Sequence, residues 1–380
     1  MKIAFVSEHY PSKKHPQYCV YLQQQALALQ KLGHKVEVFR LLKGENAEHI
    51  EILAGITIHN ISIPNSILDK VYTSYKKRLH NKVKWNLFDI VSLHILSVPF
   101  AESVINECKI ANIPTVFHFH GLNVWNNYYQ RKNVVHLLLH TIETKRKIAF
   151  LKKCSAIIGV SKGVCNVIQE CLQNPKCYLV YNGVDIEKFP KTTKTYKPKD
   201  IFKILCVANY IPIKGQEYLI KAIAQTSKEG ISTHLNLIGQ GPDEKKLQQL
   251  VIDLNIQDKV SFLGLQPYDN VYRYMSQSDM FIMPSYYDSF GCVYVEAMST
   301  GTVTCGCNVY GPKEIINDGI DGLLVKPQDV QSIVDAIKKI HSDICYRKRI
   351  EDNAVKRAAQ FSWEKSAIAL ESVYTNILNN

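Results

Sequence analysis

The sequence predicts an α/β protein made of two doubly wound, Rossmann-like domains. The chain has 380 residues, which suits two domains of about 150 to 200 residues each. Short apolar runs, the length of buried parallel strands, are each followed by a loop and by a stretch with helical spacing of apolar residues. Hydrophobic residues make up 46% of the chain, which is enough for a sizeable core.

The first half opens with a strand, a helix and a second strand. Residues 2–6 form the first apolar run, a helix is predicted from about Tyr18 to a stop at Gly33, and residues 34–42 form the next strand. A strand, crossover helix and strand in this order begin a doubly wound sheet. Further strands are predicted at residues 56–63, 88–94, 114–121 and 156–160, with Ser161 as the N-cap of the helix after the last of them.

A domain boundary is predicted near residue 190. The turn signal Asn182-Gly183 is followed at residues 191–199 by a Lys, Thr and Pro tract with the composition of a linker. The predicted domains are therefore residues 1–190 and 191–360. The final helix, 361–380, is expected to cross back to the first domain.

The second half repeats the alternation of strands and helices. Its most informative strand is at residues 280–283, followed by a loop with Asp288 and by a helix that carries Glu296 and ends at Gly301. Ligands of open parallel sheets bind beyond the carboxyl ends of the strands, where a helix N-terminus offers free N–H groups to phosphate. The two carboxylates can face one crevice, one holding a sugar hydroxyl and the other a ribose. The other strands predicted here are 204–208, 234–238 and 260–264.

The stretch from Asp288 to Gly301 resembles the signature of retaining, nucleotide-sugar-dependent glycosyltransferases of family 4. That pattern is an acidic residue, seven others including Phe-Gly, then Glu, Ala-Met and a Gly, and this chain has Asp288 where Glu is usual. The resemblance implies the GT-B arrangement, two Rossmann-like domains that face each other across a cleft. It also implies transfer of a sugar from a nucleotide diphosphate sugar to a hydroxyl, with retention at the anomeric carbon.

The resemblance also implies roles for particular residues. His120 matches the family's His-Gly after a strand, where imidazole could donate to a hydroxyl or carbonyl of the donor sugar, and Lys214 matches a lysine aimed at the donor diphosphate. Asn209 stands in place of a second basic residue, and Cys19 and Tyr310 stand where glycines are usual. The implied catalytic residues are His120, Asp288, Glu296 and Lys214, and the implied substrate-binding residues are Asn209, Gly215, Gly239, Ser289, Phe290, Gly291 and Cys292.

The sequence favours chemistry without a metal or a resident cofactor. Its eleven cysteines are scattered, with no Cys-x-x-Cys pair, which favours reduced core thiols over a zinc site. No crevice loop carries an Asp-x-Asp motif. The nucleotide diphosphate sugar is expected as a co-substrate, and the departing phosphate is expected to help deprotonate the acceptor on the same face of the sugar.

The net charge of +12 lies almost entirely in the first half. Residues 1–185 carry +11 and residues 186–380 carry +1, with basic segments at 70–84 and 127–153. The second segment is either a solvated helix face or a surface for an anionic membrane or acceptor. No nucleic-acid motif accompanies the charge. The expected acceptor is a saccharide, in particular a lipid-linked one in the assembly of cell-surface polysaccharide or lipopolysaccharide.

The expected cellular location follows from the lack of a membrane span and of a signal-peptide pattern in the sequence. No run approaches the ~18 apolar residues of a membrane span, and residues 1–6 open on a strand without a signal-peptide pattern. We therefore expect a cytoplasmic protein, with peripheral attachment to the inner membrane face as a further option. Two other functions remain open, a nucleotide-sugar epimerase with the same two domains and a non-catalytic partner subunit.

Overall fold

The computed structural model describes residues 1–12, 18–43, 48–63, 82–121, 145–173, 177–188 and 201–379. The chain forms two compact units, Met1–Gly183 with Trp363–Asn380, and Val184–Ser362. Most of the two basic segments and the tract 191–199 lie outside the described residues. Within the described part of the chain, no helix has the length and apolar character needed to cross a membrane.

The described residues of the first unit form one sheet of eight strands. The strands are β1 Lys2–Ser7, β2 Lys35–Lys43, β3 His49–Leu53, β4 Ile56–Ile63, β5 Ile90–His94, β6 Thr115–Phe119, β7 Ala156–Gly159 and β8 Cys177–Leu179. Their order is β3-β4-β2-β1-β5-β6-β7-β8, and every neighbouring pair is parallel except β3 and β4. The chain moves outward from β1 in one direction and from β5 in the other, so the switch point lies between these two strands.

The helices of the first unit pack on this sheet. They are α1 Val20–Lys31, α2 Val98–Ile110, α3 Lys162–Leu172 and, from the end of the chain, α11 Trp363–Leu378; residues 145–151 are also helical. The core joins α1 and α11 to the central strands, with Leu22, Leu29, Leu370 and Tyr374 buried in one cluster. Ser161 caps α3 as predicted, since its hydroxyl accepts from the N–H of Val164 at 3.1 Å.

The second unit contains a fully parallel sheet of six strands. These are β9 Phe202–Val207, β10 Thr233–Ile238, β11 Val260–Phe262, β12 Met280–Met283, β13 Val303–Cys307 and β14 Leu323–Val325. The order β11-β10-β9-β12-β13-β14 places a switch point between β9 and β12. Its helices are α4 Gln216–Lys228, α5 Glu244–Asp253, α6 Tyr268–Gln277, α7 Cys292–Ser299, α8 Tyr310–Ile315, α9 Val330–Ser342 and α10 Ile344–Ala358.

The chain passes between the units at Gly183 and again at Ser362, whereas the sequence placed the first boundary near residue 190. This earlier boundary results from backbone pairing within the second unit. Val184 forms a parallel bridge with Ser362, and its N–H donates to the carbonyl of Phe361 at 2.8 Å. The second unit therefore already includes residues 184–188, ahead of the predicted linker.

Candidate active site

The switch point of the second unit brings Lys214 and Asp288 together. Lys214 follows β9 and Asp288 follows β12, so their loops leave neighbouring strands at the same edge of the sheet. The ammonium group of Lys214 donates to Oδ2 of Asp288 at 2.5 Å, and the two side chains are only 20% and 14% exposed. Two of the four predicted catalytic residues thus form a shielded ion pair across 74 residues of sequence.

The two loops are fixed to each other by backbone contacts. The N–H of Tyr286 and the hydroxyl of Ser285 both donate to the carbonyl of Ile213, each at 3.1 Å. Gly215 has a left-handed backbone, with φ of +72°, and a Cβ placed on it would lie 2.2 Å from the carbonyl oxygen of Pro284. Gly215, predicted to contact substrate, therefore also allows the loops to approach closely enough for the ion pair to form.

The amino end of α7 lies in the same loop and carries no side-chain cap. Its N-cap is Gly291, left-handed with φ of +89°, and a Cβ there would lie 2.5 Å from the ring of Tyr294. Phe290, just before it, is buried, whereas Ser289 and Cys292 are partly exposed on either side. A helix start without a side-chain cap leaves backbone N–H groups to bind an anion, and the helix dipole favours negative charge at that end.

Glu296 lies on α7 beyond this helix start. The hydroxyl of Tyr268, on α6, donates to its Oε1 at 2.9 Å. Part of the side chain reaches solvent, yet the protein atoms packed around the carboxyl raise the pKa of Glu296 to about 7, while the hydrogen bond from Tyr268 acts in the opposite direction. Glu296 therefore holds a proton more readily than an ordinary glutamate does.

The raised pKa of Glu296 predicts a pH-dependent stability. Because the folded state takes up this proton more readily than the unfolded state, the free energy of unfolding should fall as pH rises from 4.5 to about 7. Glu296→Gln removes that dependence. In urea denaturation, the free energy of unfolding of the variant should therefore rise by about 1 to 2 kcal/mol relative to that of the wild type between pH 5 and pH 8. This is less than the free energy that corresponds to the full pKa shift, because the side chain is partly exposed.

A matched control is available in the same unit. Hydrogen bonds from Lys221 and Lys246 lower the pKa of Glu217, so Glu217→Gln should lose stability relative to the wild type as pH rises toward 4.5 and should then run parallel to the wild type from pH 5 to pH 8. If the two variants changed with pH in the same direction, the assignment of the raised pKa to Glu296 would be wrong.

The remaining predicted residues of the second unit lie beside these loops. Asn209 is exposed after β9, and its carbonyl accepts from the side-chain amide of Gln216 at 2.9 Å. Gly239 follows β10 with φ of +147°, and a Cβ on it would lie 2.0 Å from the carbonyl oxygen of Ala208. Gly239 therefore allows close packing of the ends of two strands, in addition to any contact with substrate.

His120 belongs to the first unit, where it follows β6. It lines a cavity of about 350 Å³ together with Glu8, Tyr21 and Ser97 among others. Its Nε2 lies 3.0 Å from Nδ1 of His94, and burial lowers the pKa of His120 to about 3, so its imidazole is neutral.

Two functional candidates here could not be found from sequence patterns, His94 in the first unit and Tyr268 in the second, because only the packed fold places them against a predicted residue.

Two family models match the chain, Glycosyltransferase Family 4 over residues 20–188 and Glycosyl transferases group 1 over residues 187–357. The chain belongs to glycosyltransferase family 4. This confirms the family and the GT-B fold class that the sequence predicted, and it establishes glycosyltransferase as the class of protein.

Individual glycosyltransferases agree with the family models. An uncharacterized glycosyltransferase of Methanocaldococcus jannaschii is 26% identical over 98% of both chains. The N-acetylgalactosamine-N,N'-diacetylbacillosaminyl-diphospho-undecaprenol 4-alpha-N-acetylgalactosaminyltransferase of Campylobacter jejuni is 29% identical over 70% of this chain and 67% of its own. The structure of HepE from Anabaena in complex with UDP-glucose is similar with a TM-score of 0.74 and 19% identity, covering 99% of this chain and all of HepE; at that identity it supports the fold alone.

Proposed function

We propose that this family 4 glycosyltransferase moves a hexosyl group from a nucleotide diphosphate sugar to a hydroxyl group, with retention of configuration and without a metal ion. The observation that carries the proposal is the Lys214–Asp288 ion pair, next to a helix start that has no side-chain cap. Ammonium and backbone N–H groups at one sheet edge suit a diphosphate, and a carboxylate beside them suits the hydroxyls of the attached sugar.

Each group has a defined part in the transfer. The acceptor oxygen forms a bond to the anomeric carbon while the bond from that carbon to the phosphate oxygen breaks, and the acceptor proton passes to the departing phosphate. Lys214 and the N–H groups of α7 stabilise the negative charge that develops on this phosphate. Asp288 binds donor-sugar hydroxyls and Glu296 binds the ribose, so neither carboxylate acts as the nucleophile of a retaining glycosidase.

The experiment that tests this function begins with a panel of nucleotide sugars. A ligand at ~100 times its dissociation constant adds roughly 2.7 kcal/mol to the folded state, so the matching donor should raise the melting temperature. With that donor and a hydroxyl acceptor, nucleoside diphosphate should be released at the same rate with and without EDTA. Loss of activity that Mg²⁺ or Mn²⁺ restores would contradict the metal-free mechanism. Release without any acceptor would favour the epimerase, and stabilisation without turnover would favour a non-catalytic subunit.

We further propose a lipid-linked saccharide as the acceptor, in cell-surface polysaccharide assembly. The Campylobacter jejuni relative is named for an acceptor on diphospho-undecaprenol, and residues 1–185 of this chain carry +11 of the net charge. Among the basic residues of the segment 127–153 that the structure describes, Lys145, Lys152 and Lys153 are exposed. Arg146 instead pairs with Glu102 at 3.2 Å, so it contributes less to a docking surface.

Vesicle sedimentation tests whether the exposed lysines attach the protein to an anionic membrane, where a lipid-linked acceptor would lie. Each basic side chain near an anionic bilayer contributes on the order of 1 kcal/mol, weakened as salt shortens the Debye length. Changing Lys145, Lys152 and Lys153 together to Gln should reduce binding to anionic vesicles at low salt. The matched control changes three exposed lysines of the second unit, Lys228, Lys245 and Lys326, and should bind as the wild type does. Equal losses in both triple variants, or equal binding to neutral vesicles, would make a soluble acceptor the better interpretation.

A further inference from the structure

A buried chain of hydrogen bonds runs through the first unit from α11 to His120. The hydroxyl of Tyr374 donates to Oγ of Ser92 at 2.9 Å, and Oγ of Ser92 lies 2.9 Å from Nε2 of His94. Nδ1 of His94 lies 3.0 Å from Nε2 of His120. Tyr374, Ser92 and His94 are all fully buried, so each link is shielded from water. The chain joins three parts of the sequence, α11, β5 and the end of β6.

The direction of donation along this chain can be deduced. The single proton of the Tyr374 hydroxyl goes to Ser92, so Tyr374 oxygen accepts from Nε2 of His118, 3.3 Å away. The Ser92 proton then has Nε2 of His94 as its one acceptor among the described contacts. If His94 donated to Ser92 instead, the hydroxyl proton of Ser92 would be buried without an acceptor, at a cost of about 1 to 3 kcal/mol.

The same reasoning assigns the protons of two histidines. Burial holds the pKa of His94 well below its ordinary value, so its imidazole carries one proton. With Nε2 accepting from Ser92, this proton is on Nδ1 and is donated to Nε2 of His120. His120 must then carry its own proton on Nδ1, and this nitrogen is buried and without a hydrogen-bond partner among the described residues. An unpaired buried donor at the edge of a cavity is the kind of group that a ligand satisfies.

We propose that Tyr374, Ser92 and His94 are positioning residues that hold His120 as a neutral imidazole donating from Nδ1 to an oxygen of the bound sugar. The assignment of the ligand rests on the proposed function, whereas the tautomer rests on the hydrogen bonds alone. His120 thus acts as a hydrogen-bond donor and does not remove a proton from the acceptor. The contact with α11 gives the carboxyl-terminal helix a part in the site, through Tyr374.

The same three histidines could also be considered as a metal site. The candidate ligand atoms of His94, His118 and His120 all lie within 4.8 Å of one another. Both nitrogens of His94 and Nε2 of the other two are, however, already hydrogen-bonded in the chain. A metal ion would have to replace the bond between His94 and His120, so the hydrogen-bonded chain is the better interpretation, and a metal titration is included in the test.

The tautomers can be measured directly by two-bond ¹H–¹⁵N correlation spectra of the ¹⁵N-histidine-labelled full chain. We expect Nδ1–H signals for His94 and His120 and an Nε2–H signal for His118, unchanged from pH 5 to pH 8. Tyr374→Phe removes the first donor and should produce a mixture of tautomers at His94 and His120. The control is Tyr10→Phe, since Tyr10 is buried in the same core cluster and its hydroxyl has no partner among the described residues.

Kinetics with the matching donor completes the test. The amide nitrogen of Asn can replace Nδ1 of the imidazole, and the amide nitrogen of Gln can replace Nε2. His120→Asn should therefore retain about 10-fold more turnover than His120→Gln, because a factor of this size corresponds to the contribution of one hydrogen bond. Tyr374→Phe should lower kcat by a similar factor, and Tyr10→Phe should not.

Three results would overturn the proposal: an Nε2–H tautomer at His120 in the wild type, equal activity of the Asn and Gln variants, or loss of all three signals on addition of stoichiometric Zn²⁺. If the predicted spectra were observed but no nucleotide sugar supported transfer, the proposed function would be refuted and the tautomer assignment would stand.

Discussion

Lys214→Ala is expected to lower turnover about 100- to 1,000-fold, the usual cost of removing one preorganised group that stabilises developing negative charge. The loss should appear mainly in kcat, because the departing diphosphate carries more negative charge in the transition state than in the bound donor. Asn209 stands where the family carries a second basic residue, and its side chain is uncharged. We therefore expect Lys214 and the N–H groups of α7 to carry more of this stabilisation than they would beside an arginine.

This substitution also leaves Asp288 without its partner, so stability has to be measured separately. A partly buried carboxylate that loses its ammonium partner is destabilising. The double variant with Asp288→Asn should recover stability but not turnover. Lys221→Ala, which breaks the more exposed pair with Glu217 in the same unit, is the control and should leave turnover unchanged. Turnover within a few-fold of the wild type in Lys214→Ala would exclude this lysine from the reaction.

Glu296→Ala is expected to lower donor turnover by at least about 30-fold while the protein still unfolds cooperatively. Glu296 makes one described side-chain hydrogen bond, to a tyrosine that is itself 43% exposed, so removing the carboxyl disturbs little of the core. A carboxylate that accepts from ribose hydroxyls in a shielded site contributes on the order of 2 to 3 kcal/mol, or 30- to 150-fold in kcat/KM, and misplacement of the donor adds to this loss.

Two comparisons separate this role from a structural one. Glu296→Gln keeps the shape of the side chain but weakens acceptance of hydrogen bonds, so its turnover should lie between that of Glu296→Ala and that of the wild type. Tyr268→Phe removes only the protein partner of Glu296 and should change turnover by less than either. A broad, non-cooperative melt of Glu296→Ala, or full activity of that variant, would show that Glu296 serves the fold or is dispensable.

Much of the fold and of the second-unit site follows from local sequence patterns. A short apolar run such as residues 280–283, followed by a loop and a helical repeat, has one common solution, a parallel strand with its loop at the ligand-binding edge. Lys214 and Asp288 both lie in loops of this kind. Because parallel strands have their carboxyl ends at one edge, such loops are expected to meet whenever their strands are neighbours, as β9 and β12 are.

Other features depend on contacts that no local pattern records. Tyr374 meets Ser92 across 282 residues, and Tyr268 meets Glu296 only because α6 packs beside α7. The family resemblance marked Cys19 and Tyr310 as replacements for glycine, but not their conformation. Both have a left-handed backbone, the conformation that favours glycine, with φ of 55° and 35°. A non-glycine residue held there costs about 1 to 2 kcal/mol.

The central claim is sugar transfer with retention at the site of Lys214, and the most direct test is the anomeric configuration of the product. The full chain is incubated with its matching nucleotide sugar and an alkyl glycoside acceptor in the presence of EDTA, and the new glycosidic linkage is read by NMR. We predict that the new linkage has the same anomeric configuration as the donor and that one nucleoside diphosphate is released for each linkage formed. Lys214→Ala should form at least about 100-fold less product. A product of inverted configuration, or one that forms equally well with Lys214→Ala, would contradict the account.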